Sequence, residues 1–197
     1  MKGILFGILF LTGLQATAQQ NYEASLKQHR RQYTHDLYDI IKGDTAYLSF
    51  FPANKQMIVT ATVERLNNEQ PFKLTTSSGK KKEAQKYALL RFLLNGKPYQ
   101  LYTYQLLALK EKAETADELF LPFVDRTSGN ESYGGGRYID LKLSDIHDGK
   151  VVIDFNKAYN PYCAFTTGYN CPIPPRENSL PIAVKAGERY RKEHFKH

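Results

Sequence analysis

The chain has 197 residues, 42% of them hydrophobic, and a formal net charge of +7. That is enough apolar material for one core and excludes global disorder. The lysines and arginines are scattered along the chain, so the basic balance describes a solvated surface and excludes a nucleic-acid-binding stripe.

The N-terminal stretch "MKGILFGILFLTGLQATAQQ" sets Lys2 before an apolar run from Gly3 to Leu14, followed by the small-x-small sequence Ala16-Thr17-Ala18. This is the pattern of a secretory signal peptide over residues 1–18. The run is shorter than the roughly 20 residues of a membrane span, and no second long apolar run follows. The expected mature chain starts at Gln19, has no transmembrane segment, is exported to the periplasm and carries +6 once Lys2 is gone. With no cysteine at the processing site, the pattern does not fit a lipid-anchored protein.

From Tyr22 to Ile41 the apolar residues Tyr22, Leu26, Tyr33, Leu37, Ile40 and Ile41 share one helical face. This predicts an amphipathic helix over 22–42, stopped at Gly43, that covers the sheet which follows. The period then changes to two. "AYLSFF" and "MIVTATVERL" read as strands, and "YALLRFLLNGKPYQLYTYQLL" reads as a hairpin about Asn95-Gly96, a pair suited to a turn with positive φ at both central positions. Lys80-Lys81-Lys82 reads as a turn between strands. Further strands are predicted at 72–76, 119–124, 137–143, 151–155 and 180–184, with Asp148-Gly149 turning between two of them. The segment 109–120 reads as a short crossover, and "GERYRKEHFKH" as a surface helix or frayed tail. The predicted fold is mostly β: residues 19–197 form one antiparallel domain, a single sheet, barrel-like or a sandwich, with the N-terminal helix.

Two segments carry the unusual residues. Residues 125–141, "DRTSGNESYGGGRYIDL", pack Asp125, Thr127, Ser128, Glu131 and Tyr133 around glycines ahead of Arg137. Three consecutive glycines let backbone approach a ligand closely, or simply make a flexible turn. A phosphate loop is excluded because the glycines lead to Arg137 and a strand, with no lysine, hydroxyl residue and helix following. A calcium loop lacks the later acidic ligands and the distal glutamate.

Residues 154–181 hold both cysteines, Cys163 and Cys171, among five prolines. In an oxidising compartment the pair predicts a disulfide, closing a ring of about nine residues worth about 2.6 kcal/mol in the chain-entropy model. The spacing is not Cys-x-x-Cys, and no histidine lies within the segment, so neither a thioredoxin-like site nor zinc is favoured. No metal and no cofactor is predicted. The five histidines form no ligand or nucleophile pattern. Asp125, Glu131, Asp140, Asp154 and Glu177 all fall in or beside the two segments. A pair of them facing one cavity beside Arg137 could do acid–base work; the alternative is a structural ion pair between Arg137 and Asp154.

"LFLPFVDRTSGNESYGGGRYIDL", "VVIDFNKAYNPYCAFTTGYNCPIPPRENSLPIAVKAGE" and "YALLRFLLNGKPYQLY" resemble the bacterial family catalogued as domain of unknown function 1684. The family pattern runs Asp-x-Thr-Ser-Gly, Glu-Thr-Tyr, Arg-Tyr, Asp-Phe-Asn, Asn-Pro-Pro-Cys-Ala and Cys-Pro-x-Pro-Pro. Here it is met by Asp125, Thr127, Ser128, Gly129, Glu131, Tyr133, Arg137, Tyr138, Asp154 to Asn156, Asn160, Pro161, Cys163, Ala164, Cys171, Pro172, Pro174 and Pro175. Ser132 and Tyr162 stand where threonine and a second proline are usual. The resemblance implies no assigned activity. Some relatives keep the cysteine pair without a signal peptide, which leaves thiol or metal chemistry open. Many also carry a larger N-terminal region.

The expectation is a pocket where the two segments meet at one end of the sheet. Tyr133, Tyr138, Tyr159 and Phe165 would wall it, Arg137 would hold an anionic group, and Asp154, Asn156 and Asn160 would orient the ligand. The function expected of it is binding of a small or oligomeric anionic envelope ligand, such as a carboxylated sugar or a peptide. The alternatives are a hydrolase using Asp125, Glu131, Asp154 or Glu177 with Arg137, and a structural module for partner docking.

Overall fold

The computed structural model describes residues 5–41 and 44–191, with side chains from Gln19 onward except that of Asp44. Gly43 and the end of the charged tail therefore lie outside the described residues.

Helix α1 (Leu5–Leu37) comes first, and its backbone runs unbroken through the expected processing site. Leu26 and Leu37 are buried, as the apolar face predicts, and Ile41 is buried just beyond the helix. No helix among the described residues is long and apolar enough to cross a membrane. A single 3-10 turn at Asp44–Tyr47 then leads to the short strand β1 (Ser49–Phe50), so only two residues of "AYLSFF" are in a strand.

The main sheet comprises β2 (Ile58–Arg65), β3 (Phe72–Thr75), β4 (Lys81–Leu94), β5 (Lys97–Leu106), β6 (Glu118–Phe123), β7 (Arg137–Lys142) and β8 (Lys150–Asp154). The short helix α2 (Leu107–Lys110) lies in the crossover between β5 and β6. The strand order is β7-β6-β5-β4-β2-β8, antiparallel throughout, with β3 beside β2 on the same edge of the long β4. The hairpin turn has φ of 52° at Asn95 and 73° at Gly96, as its sequence requires. Asp148-Gly149 shows the same signature, 48° and 70°. The lysine triplet does not sit in the turn: Thr76 to Gly79 make it, and Lys81 already belongs to β4.

The sheet curls into a half-barrel. Beyond β8, Tyr159 exchanges both backbone hydrogen bonds with Tyr138 of β7, at 2.9 and 3.0 Å, which brings the two edges of the sheet together. Inside the curl lie Ala61, Leu90, Phe92, Leu101, Leu121, Phe123, Ile139, Ile153 and Phe155. Burying each of the larger of these side chains stabilises the fold by about 1.5–3 kcal/mol.

Two expectations are corrected. Residues 180–184 do not form a strand: Pro181 has no amide to donate, and the extended segment instead bonds irregularly, Leu180 N to Val124 O at 2.8 Å and Arg126 N to Ile182 O at 2.9 Å. Nor does the tail begin at Gly187. Strand β9 (Glu188–Arg189) pairs with β1 in a second, two-stranded sheet, so the fold is not a single sheet, and Glu188 is fully buried.

Candidate functional site

Arg137 opens β7 with its side chain pointing inward, and it is 0% exposed. Its Nη2 donates to Asp125 Oδ1 at 3.1 Å, to Val184 O at 2.8 Å and to Thr127 Oγ1 at 3.3 Å. Its Nη1 donates to the carbonyls of Ala186 and Glu188. Asp125 in turn accepts from Val184 N at 2.7 Å and from the Thr127 hydroxyl at 3.0 Å. Burial pulls the guanidinium below the usual arginine range, and the Asp125 carboxylate works against that pull. The ion pair anticipated for Arg137 therefore exists, but its carboxylate is Asp125 and not Asp154. Enclosed on all sides by protein, the guanidinium has no face left for a ligand.

The glycines before Arg137 serve the same closure. A Cβ on Gly136, whose φ is 86°, would come within 2.6 Å of Phe123 O and 2.7 Å of Pro174 Cγ. One on Gly135 would meet the Tyr133 ring at 2.5 Å. What approaches this backbone closely is the protein itself.

Cys163 and Cys171 are joined by a disulfide. The loop they close is tied down by Ser77 N to Cys171 O at 2.9 Å, by Ile173 N to Thr75 O at 2.8 Å, and by the buried Tyr138 hydroxyl, which donates to Pro172 O. Phe165 is buried with Leu37 and Ile41 beneath the end of α1, and Tyr133 packs edge-on against Tyr190 at 5.2 Å. Glu177 lies apart, bonded to Lys86 at 3.2 Å; burial opposes its ionisation, but its hydrogen bonds and Lys86 hold it below the usual range.

The remaining predicted residues are also committed to protein partners. Asp154 accepts from the Tyr22 hydroxyl at 3.0 Å and from Asn156 N at 3.0 Å. Asn156 bonds Asn54 in both directions, at 2.9 and 2.8 Å. Asn160 donates its backbone N–H to Glu188 at 2.7 Å, and Glu131 pairs with Lys185 at 2.9 Å. The two segments do meet, but as a closed polar network.

An open site lies immediately beside it. A cleft of about 290 Å³ runs between α1, which contributes His29, Gln32, Tyr33 and Asp36, and the seam of β7 with the chain after β8, which contributes Asp140, Lys157, Tyr159 and Tyr162. Alternation along β7 explains Asp140: three residues after the inward Arg137, it faces out. The Tyr159 hydroxyl is held 2.8 Å from both Asp140 oxygens, and the backbone bridge to Tyr138 fixes Tyr159 in place. Burial raises the Asp140 carboxyl above the usual range, although the Tyr159 hydrogen bond favours the anion. Burial, and then Lys157, hold His29 below the usual histidine range. The Tyr33 and Tyr159 rings meet at 5.8 Å, and the Tyr33 hydroxyl donates to Glu188 Oε2 at 2.9 Å.

Two larger depressions, of about 620 and 700 Å³, lie along the other flank of α1 and on the outer face of the sheet near Arg91. Neither brings a carboxylate and tyrosine hydroxyls together as this cleft does.

Sequence reasoning picked out Asp140 and Tyr159 separately and missed the α1 half of the cleft. His29, Gln32, Tyr33 and Asp36 recur at helical spacing along one flank, a pattern that reads equally well as a solvated border. Among the described residues no group of three His, Cys, Asp or Glu side chains is placed to hold a metal.

The family described as "Protein of unknown function (DUF1684)" matches residues 45–189, a span that leaves out α1. The chain is also similar to the solution NMR structure of an uncharacterized protein from gene locus rrnAC0354 of Haloarcula marismortui. The identity is 32% and the TM-score 0.66, over 88% of this chain and 96% of that one. No curated protein matches the chain.

Proposed function

We propose, for a chain that belongs to the DUF1684 family of proteins of unknown function, that it is an exported binding module for a small carboxylated sugar held in the cleft between α1 and β7. Export rests on the leader-like residues 1–18, and the Cys163–Cys171 disulfide is compatible with an oxidising compartment such as the periplasm.

The observation that carries the reading is the Asp140–Tyr159 pair between aromatic walls. Flat tyrosine faces suit the apolar face of a sugar ring, while a carboxylate beside a tyrosine hydroxyl suits its hydroxyl groups. Lys157, exposed at the cleft, takes the anionic group in place of the enclosed Arg137. The cleft has neither the length nor the continuous basic lining that a nucleic acid would need.

Calorimetric titration with glucuronic acid and with glucose tests it. Tighter binding of the acid is expected, with Lys157→Ala weakening it about tenfold, the loss of one charge-assisted hydrogen bond, and Asp140→Asn weakening both sugars. No binding of either sugar, or binding indifferent to both substitutions, overturns the reading.

A second reading, hydrolysis, is favoured by one observation: the raised proton affinity of Asp140 in a cleft that also holds Asp36. Release of reducing ends from a uronic-acid oligosaccharide, lost in Asp140→Asn, would make the protein an enzyme.

A further inference from the structure

We infer that Glu188 is a proton-controlled latch holding α1 against the β domain, so that the cleft beside Tyr33 is complete in acid and opens as pH rises. The latch itself does not depend on what the cleft binds; its consequence for a ligand rests on the reading above.

Glu188 is 0% exposed in β9, where its register partner on β1 is the non-ionisable Phe50. Its Oε2 accepts from Asn160 N at 2.7 Å and from the Tyr33 hydroxyl of α1 at 2.9 Å. Its Oε1 is equally buried and has no hydrogen-bond partner. The cation facing it is Arg137 of β7, but that guanidinium already pairs with Asp125 and donates to three main-chain carbonyls, one of them that of Glu188 itself. Tyr159, across the Tyr33 ring, is a neutral neighbour raised well above the usual tyrosine range by burial. An ionised Glu188 would thus be a second anion beside a cation already matched, with one oxygen dry.

Such a carboxyl keeps its proton. Burial pushes it up to about 8, against the opposing pull of Asn160, Tyr33 and Arg137. When it does ionise, the charge gains water only if something covering it moves. Arg137 and Asn160 are fixed by β7 and by main-chain and side-chain bonds to β9, whereas among the described residues the hydrogen bonds from α1 to the β domain come from the side chains of Tyr22, Arg30 and Tyr33.

The direction follows from linkage. With α1 lifted, Glu188 is hydrated and returns towards its ordinary value of 4.5, against about 8 when covered. Docking is therefore fully favoured below about 4.5, weakens as pH rises between these two values, by about tenfold per pH unit, and loses no more above the higher one.

Hydrogen exchange of the ligand-free protein, expressed as protection factors at pH values from about 5 to about 9, tests this. In the wild type, protection of α1 amides from Tyr22 to Leu37 should fall with rising pH while amides of β5 hold. Glu188→Gln, neutral at every pH, should keep α1 protected across the range. If that variant does not fold, Tyr33→Phe serves in its place: removing the hydroxyl donor should lower α1 protection at every pH. The inference is overturned if wild-type α1 protection does not change with pH, if Glu188→Gln shows the wild-type profile, if Tyr33→Phe leaves α1 as protected as before, or if β5 loses protection in step with α1. Sugar binding plays no part in the measurement, so its failure and the failure of the cleft reading are told apart.

Discussion

The Arg137 guanidinium and the Asp125 carboxylate lie 3.1 Å apart, and neither side chain has any solvent exposure. Together with Thr127, Val184 and Ala186 they convert the residues that look most chemical in the sequence into the interior of a loop junction. Removing one member leaves the other charged and dry, so Arg137→Met or Asp125→Asn should destabilise the fold by about 3–5 kcal/mol. Urea unfolding measures this. A variant with wild-type stability would show that the pair is not structural.

Gly136 and Gly149 both have positive φ, 86° and 70°, but differ in their surroundings. Alanine at Gly149 meets nothing within 4 Å and should cost only the backbone penalty, about 1 kcal/mol. Alanine at Gly136 must also displace Phe123 O and Pro174, so its cost should exceed that of the first by about 1 kcal/mol or more. Paired thermal melts check the order, and equal melting temperatures would contradict it.

Reducing the Cys163–Cys171 bond, or replacing both cysteines by alanine, should lower stability by about 2.6 kcal/mol. Exchange protection should fall first at Cys171 and Ile173, whose segment bonds to Ser77 and Thr75. An unchanged unfolding midpoint after complete reduction would show that those main-chain bonds suffice alone.

Tyr159 donates to both oxygens of Asp140 and so favours the anion. Tyr159→Phe should move the Asp140 titration to higher pH still, readable from its side-chain carboxyl carbon by NMR. A raised value means that the folded protein holds this proton more tightly than the unfolded chain does. Stability from this group is accordingly lost as pH rises from the ordinary 3.8 through the folded value, and the variant should stretch that loss upwards. A titration that stays put or moves down would remove the hydrogen bond from the account.

Local sterics were legible in the chain. Asn95-Gly96 and Asp148-Gly149 announce their turns because few other pairs accept positive φ at both positions, and alternation along 58–65 places Val59 and Ala61 in the core. The nearness of Cys163 and Cys171 likewise pointed to the bond they form. Glu188 was not legible: set in a run of charges, it reads as a solvated residue, and it is buried only because β9 pairs with β1 while Tyr33 of α1 and Asn160 close over its carboxyl.

The sequence by itself thus determined an antiparallel β domain with a covering helix, because strand period, turn chemistry and helical spacing act between neighbours. Only the tertiary structure decided which of five nearby carboxylates Arg137 meets, and that an ordinary-looking flank of α1 faces Asp140 and Tyr159. Both depend on which face of β7 each side chain takes and on how the curled sheet closes, and those are properties of register and packing between segments distant in the chain.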